Sequence, residues 1–192
     1  GAACGATVRD VDLRRLDDAD VAAIRAAWLE HKVLAFPDQQ LSDSDLEAFT
    51  LRFGPFGDDP FFASIEDHPH IAAISRRADE TSTLFAENWH ADWSFQQFPP
   101  DGTCLYGKVI PPVGGDTLFA NQYLAWDTLS DTMKHMLRPL KGISSSAKAD
   151  VSKTREDRLK SDAKDGAPTQ FQAVHPVMRT HPETQRPALY VN

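Results

Sequence analysis

The sequence predicts an α+β, mainly β fold: a jelly-roll-like double sheet with helices on its flanks. Three observations predict it. Short apolar runs are separated by Pro and Gly turns at Pro99-Pro100, Pro111-Pro112 and Gly114-Gly115. Helical stretches with polar caps stand on either side of those runs. A strand-turn-strand pattern occupies Ala173 to Asn192 around Pro182-Glu183-Thr184-Gln185. At 192 residues and 41% hydrophobic content the chain is expected to form a single domain, residues 1–192, with a substantial core.

Taken in order, Ala6 to Leu13 alternates as a strand, and Asp17-Asp18 caps a helix with Val21, Ile24, Trp28 and Leu29 on one stripe. Val33-Leu34-Ala35-Phe36, stopped by Pro37, reads as a buried strand. Ser42-Asp43-Ser44-Asp45 resembles a capping box, and Leu46, Phe49 and Phe53 recur at helical spacing before Gly54-Pro55. Ile71 to Ile74 and Thr103 to Ile110 read as strands, and the Gly114-Gly115 turn delivers Asp116 to Phe119 back toward the sheet. Asn121 caps a helical stretch with Tyr123, Trp126, Leu129, Met133, Met136 and Leu140 facing inward, broken near Ser130 and ended by Gly142. Residues 148–170 are strongly polar and read as a lid or disordered insert.

The net charge of -8 argues against a general attraction to nucleic acid or to an anionic membrane, so an anionic substrate would need local cations. Cys4 and Cys104 have no paired spacing, which argues against a disulfide scaffold or a zinc ribbon. No stretch has the length and apolarity of a membrane span, and the N-terminus lacks the order of a signal peptide. A soluble protein of a reducing cytoplasm is the expectation. The chain begins at Gly1 and stops at Tyr190-Val191-Asn192 within a strand-like run, which suggests a partial sequence.

The chemistry concentrates at Trp89-His90-Ala91-Asp92 and Gly114-Gly115-Asp116-Thr117. Residues i and i+2 of a strand share a face, so His90 and Asp92 can converge on one ion. An imidazole and a carboxylate supply two corners of a 2-His-1-carboxylate site for non-haem iron, with positions open for an organic ligand and dioxygen. The Thr117 hydroxyl and the turn amides can donate to a carboxylate. Alone, a His-x-Asp tripeptide fits a strand with a half-exposed His and a solvated Asp just as well. Its flanking Trp89, Trp93 and Phe95 suit either pocket walls or core.

The chain resembles the taurine dioxygenase and 2,4-dichlorophenoxyacetate dioxygenase family of iron(II)- and 2-oxoglutarate-dependent oxygenases. The resemblance is carried by residues 30–36, Arg52-Phe53-Gly54-Pro55, residues 88–95, residues 111–117 and residues 175–184. It implies a double-stranded β-helix (jelly-roll, cupin-like) core, Fe(II) held by His90 and Asp92, and Thr117 hydrogen-bonding the 2-oxoglutarate cosubstrate. It further implies hydroxylation of a small organic anion, such as a sulfonate, an alkyl sulfate ester or an aryloxyalkanoate, with dioxygen consumed and succinate and CO2 released. Asn88 and Tyr190 match substrate-pocket positions, whereas Ala86 stands where the taurine enzymes carry Asn.

The family's third ligand, a late His, and its 2-oxoglutarate-clamping Arg match no position here and are expected beyond Asn192. His175, His181, Arg179 and Arg186 read as hairpin residues, while His31 and His135 read as helix-end and surface residues. Two ligands without a clamp imply weak iron binding and little turnover for these residues alone. Competing readings are a non-catalytic double-stranded β-helix binding domain, an inactive fragment of the oxygenase, and a cupin-type hydrolase or isomerase using His90 and Asp92. A homo-oligomer is compatible with all of them.

Overall fold

The computed structural model describes residues 3–81, 88–148 and 171–191. Among these the chain forms two compact units, one built from residues 1–55, 103–140 and 176–190, the other from residues 56–102, 141–175 and 191–192.

In the first unit, β1 (Ala6–Thr7) pairs in parallel with β2 (Leu34–Ala35), Ala6 opposite Leu34 and Thr7 opposite Ala35. Between them runs α1 (Asp18–His31), whose start is set by the Asp17 carboxylate accepting from the Asp20 amide while Asp20 accepts from the Asp17 amide. Such a reciprocal cap contributes about 1 kcal/mol. The second helix, α2 (Asp43–Leu51), starts the same way, with Ser42 and Asp45 exchanging bonds.

These helices converge on one cluster. Leu13, Ile24 and Phe49 are buried, and Val11, Leu16, Leu34, Phe36, Leu41 and Phe53 pack around them. Phe49 meets Phe36 and Phe53 edge-on at 5.7 and 5.2 Å, in the geometry that aligns a ring edge with a neighbouring face.

The same unit holds α3 (Gln122–Asp127), capped by the Asn121 side chain, and α4 (Asp131–Leu137), capped by Ser130, so the expected break near Ser130 is present. A hairpin of β5 (Met178–Thr180) and β6 (Pro187–Leu189) lies antiparallel, Arg179 opposite Ala188. Its turn is tied to the helices. Arg25 makes two hydrogen bonds to the Glu183 carboxylate, at 3.0 and 2.8 Å, the Tyr123 and Thr184 hydroxyls are 3.2 Å apart, and Arg186 lies over the Tyr123 ring at 4.4 Å.

In the second unit, β3 (Lys141–Ser145) runs into a 3-10 turn (Ser146–Lys148) and pairs with β4 (Gln172–Pro176). Phe95 is buried against Phe61 at 5.4 Å and Phe171 at 6.1 Å, so it belongs to the core of this unit.

The sheet is smaller than the sequence predicts. Three two-stranded sheets form among the described residues, and β1 and β2 are two residues each. The expected strands at Ile71–Ile74, at His90–Asp92, at Thr103–Ile110 and at Asp116–Phe119 are not laddered. Alternation selects an extended backbone, but a strand exists only where a neighbour completes its hydrogen bonds. The 103–110 segment is instead anchored by single contacts: the Leu41 amide donates to the Tyr106 hydroxyl at 3.1 Å, and Lys108 pairs with Asp43. Its Leu105, Val109 and Ile110 are exposed.

Two further expectations are corrected. The last helix stops at Leu137, and Gly142 lies inside β3. Tyr123 and Trp126 are buried, but Met133, Met136 and Leu140 are exposed, so the inward-facing stripe does not continue past the break at Ser130. Residues 149–170, most of the expected polar lid, lie outside the described residues.

The core cluster makes Phe49 a sensitive position. Phe49→Ala is expected to destabilise the protein by about 3–5 kcal/mol, whereas Leu51→Ala, on the exposed side of the same helix, should fall within ~0.5 kcal/mol of the parent. Urea unfolding of both variants checks this.

Candidate metal centre

His90 and Asp92 come together without a strand. Residue 88 is a bend and residues 89–91 have no regular structure; a turn begins at Asp92, closed by the Ser94 amide on the Ala91 carbonyl at 3.3 Å and by the Gln96 amide on the Trp93 carbonyl at 2.9 Å. The expected pleat is therefore replaced by a turn that begins at Asp92. Nε2 of His90 lies 3.2 Å from Oδ1 of Asp92, and the two side chains are 43% and 44% exposed.

The other ring nitrogen determines what this proximity means. Nδ1 of His90 is 2.7 Å from the Asn88 carbonyl, which can only accept, so Nδ1 donates to it and Nε2 is the nitrogen turned toward Asp92. Nε2 and the carboxylate oxygen then stand at hydrogen-bond distance, an arrangement that accommodates either a proton on Nε2 or a metal ion between them. One neutral imidazole nitrogen and one carboxylate oxygen form a donor pair suited to a divalent transition metal such as Fe(II). The Nδ1–H to carbonyl bond is the usual support for a metal-bound imidazole. The residues fit the ion. Among the described residues no third His, Cys, Asp or Glu joins them.

Thr117 lies in the first unit and the His90–Asp92 pair in the second. Gly114 and Gly115 have φ of 82° and 77°, two successive left-handed positions that only glycine occupies without strain, so the turn read from the sequence is present. Asp116 and Thr117 follow it in an exposed stretch without regular structure.

Of the two substrate candidates, Asn88 is exposed and contributes its backbone carbonyl to His90. Tyr190 is half-buried in the first unit, with Arg179 over its ring at 4.9 Å and its amide donating to the Val177 carbonyl at 2.7 Å. Position 86 lies outside the described residues.

The late histidines are engaged elsewhere. His181 Nδ1 accepts from the Glu183 and Thr184 amides at 3.2 and 3.3 Å, folding the hairpin turn. His175 is buried, with Nε2 2.7 Å from the Ser94 carbonyl and 3.1 Å from that of Gln96. By sequence His175 is a hairpin packing residue, and the structure adds a backbone partner for it. That contact joins positions 81 residues apart, and no local pattern announces it. Also unread was Trp93, whose φ of 48° places a bulky residue in the left-handed region directly after Asp92.

Comparison with known proteins places the chain in a family. The model of the taurine catabolism dioxygenase TauD, TfdA family matches residues 1–192. The chain belongs to the TauD/TfdA family.

Among curated relatives, the (S)-phenoxypropionate/alpha-ketoglutarate-dioxygenase of Delftia acidovorans is 32% identical over 201 aligned positions that cover 100% of this chain and 68% of the relative. The alkylsulfatase of Acinetobacter baylyi is 33% identical, covering 96% of this chain and 59% of the relative. A crystal structure of a taurine dioxygenase from Burkholderia xenovorans superposes with a TM-score of 0.74 at 31% identity, over 98% of this chain and 60% of that one. This TauD/TfdA chain thus spans about three-fifths to two-thirds of the length of its relatives. Among its described residues no helix is long and apolar enough to cross a membrane.

Burial raises the Tyr190 hydroxyl above its ordinary value of 10.0, outweighing the opposing effect of Arg179. A raised folded-state value means that this contribution to stability is intact below the ordinary tyrosine range. It is lost as the pH climbs from there through the folded value. Urea unfolding between about pH 8 and pH 11 should show a shallower loss in Tyr190→Phe than in the parent. Identical slopes would remove Tyr190 as the source.

Proposed function

We propose that the protein acts as an Fe(II)- and 2-oxoglutarate-dependent dioxygenase that hydroxylates a small organic anion. The observation that carries this reading is the facing of His90 Nε2 and Asp92 Oδ1 at 3.2 Å, with the imidazole oriented by the Asn88 carbonyl. Family membership supports it, as do relatives whose names specify a phenoxypropionate/alpha-ketoglutarate-dioxygenase and an alkylsulfatase. The same relatives support a sulfonate, an alkyl sulfate ester or an aryloxyalkanoate as the substrate class. We also assign the chain to the double-stranded β-helix class, on its likeness to the taurine dioxygenase structure.

When bound, Fe(II) would supply coordination of 2-oxoglutarate and activation of dioxygen, with one oxygen atom ending in succinate and the other in the hydroxylated product. The chain's own residues prepare that chemistry. His90 can offer Nε2 because Nδ1 donates to a backbone acceptor, which orients the ring before any ligand arrives. Asp92 offers an anionic oxygen that needs no proton transfer to bind a cation. Thr117, beyond the two left-handed glycines, is proposed to donate its hydroxyl to a carboxylate of 2-oxoglutarate. Asn88 and Tyr190 are proposed as substrate contacts, the amide as a donor to an anionic group and the ring as an apolar wall.

The remaining iron ligand and an arginine for the far carboxylate are assigned to sequence outside these 192 residues. His175 and His181 are committed to backbone partners, while Arg186 reaches Asp127 and Tyr123, and Arg179 covers Tyr190.

An anaerobic titration of Fe(II) with 2-oxoglutarate tests the assignment through its metal-to-ligand charge-transfer absorbance. The band is expected in the intact protein and lost in His90→Ala and Asp92→Ala, while Thr117→Val keeps it but needs roughly tenfold more 2-oxoglutarate, as for loss of one charge-assisted bond. A band that survives His90→Ala refutes the ligand assignment. Succinate release across sulfonates, alkyl sulfates and aryloxyalkanoates then identifies the substrate class.

A further inference from the structure

The turn that carries Asp92 holds a conformation its own residues disfavour. Trp93 has φ of 48°, a left-handed backbone that crowds a large side chain, and such strain persists only where the surroundings over-determine it. The two bonds that close the turn, at 3.3 and 2.9 Å, are ordinary. The additional restraint comes from the other side of the unit. His175 of β4 is 5% exposed, and its Nε2 lies 2.7 Å from the Ser94 carbonyl and 3.1 Å from the Gln96 carbonyl. Both partners accept only, so Nε2 carries a proton and shares it between them.

Ser94 is 1% exposed and Phe95 is 9% exposed, so the bond to Ser94 lies where water cannot substitute for the imidazole. A polar group stranded there would lose its partner outright. Phe95, between the two carbonyls, is wedged beside Phe61 and Phe171. The imidazole and the ring together hold residues 94–96, and Asp92 lies two residues before Ser94.

We propose that His175 is a positioning residue for the metal centre. By donating from Nε2 to the Ser94 and Gln96 carbonyls it holds the strained turn at Trp93, and so keeps the Asp92 carboxylate opposite His90. The inference rests on the reading of His90 and Asp92 as metal ligands and adds a role for a histidine that does not itself touch the ion. Because its Nε2–H is engaged with carbonyls, that nitrogen has no lone pair to offer a metal.

The test uses Co(II) as an air-stable probe of the site, titrated into the intact protein and read by visible absorbance, with circular dichroism confirming the fold of every variant. The parent should bind cobalt and His90→Ala should not. In His175→Gln an amide can reach the same carbonyls, and affinity is expected to stay within ~3-fold of the parent; in His175→Leu the donor is gone, and affinity should fall by ~10–100-fold with a changed spectrum. If His175→Leu does not fold, His175→Asn takes its place, because its amide is one methylene shorter and falls short of the carbonyls.

Parent-like affinity in a folded Leu or Asn variant, or a folded Gln variant that binds no better than His90→Ala, overturns the positioning role. Those results leave the metal assignment intact so long as His90→Ala abolishes binding. Absence of binding in the parent, or binding that survives His90→Ala, overturns both.

Discussion

Everything at this site depends on holding two electron-rich atoms, His90 Nε2 and Asp92 Oδ1, 3.2 Å apart on a partly exposed turn. Both side chains are partly exposed, so the surrounding structure has to orient them. The Asn88 carbonyl accepts from Nδ1 and fixes one side of the pair. On the other side the turn must fold back within a few residues, and that forces Trp93 into the left-handed region. The cost is absorbed by the core of the unit, where Phe95 is buried and the Ser94 and Gln96 carbonyls are satisfied by His175. On the proposed reading of His90 and Asp92 as ligands, a partly exposed pair is supported by a buried polar contact two residues farther along the chain, a division of labour common to sites that need accessibility and precision together.

The first unit solves a different problem. It carries Thr117 on a loop after two left-handed glycines, and it stabilises its hairpin from the helix side through Arg25, Tyr123 and Arg186. These contacts do not all carry equal weight. Arg25 and Glu183 are 35% and 40% exposed, so their ion pair is screened and worth little beyond its two-bond geometry. Tyr123 is buried, sits below the Arg186 guanidinium and meets the Thr184 hydroxyl, which makes it the firmer attachment. Packing of an aromatic body with a hydrogen-bonded tip orients the turn more strongly than surface charge does.

Much of this was legible in the order of residues alone. The caps at Asp17, Ser42, Asn121 and Ser130 operate within three residues, the Gly114-Gly115 turn within two, and the hairpin around residues 181–186 within one short loop, so each is specified by its neighbours. The pairing of His90 with Asp92 was legible for the same reason, although the reading placed it on a strand and the structure places it at a turn. What could not be read was everything requiring a distant partner. The Pro pairs bounding Thr103–Ile110 marked out a strand-length segment, but whether a ladder forms depends on a second strand that no local signal can name. Trp93 carries no sequence sign of its left-handed backbone, since bulky residues are selected against that region. His175 looked like a packing residue because its two acceptors are backbone carbonyls about eighty residues away, and any residue type can supply a carbonyl. The sequence by itself therefore determined which donor atoms are present and how closely they are spaced along the chain. Only the tertiary structure decided where those atoms point, because direction is set by buried contacts between segments far apart in the chain.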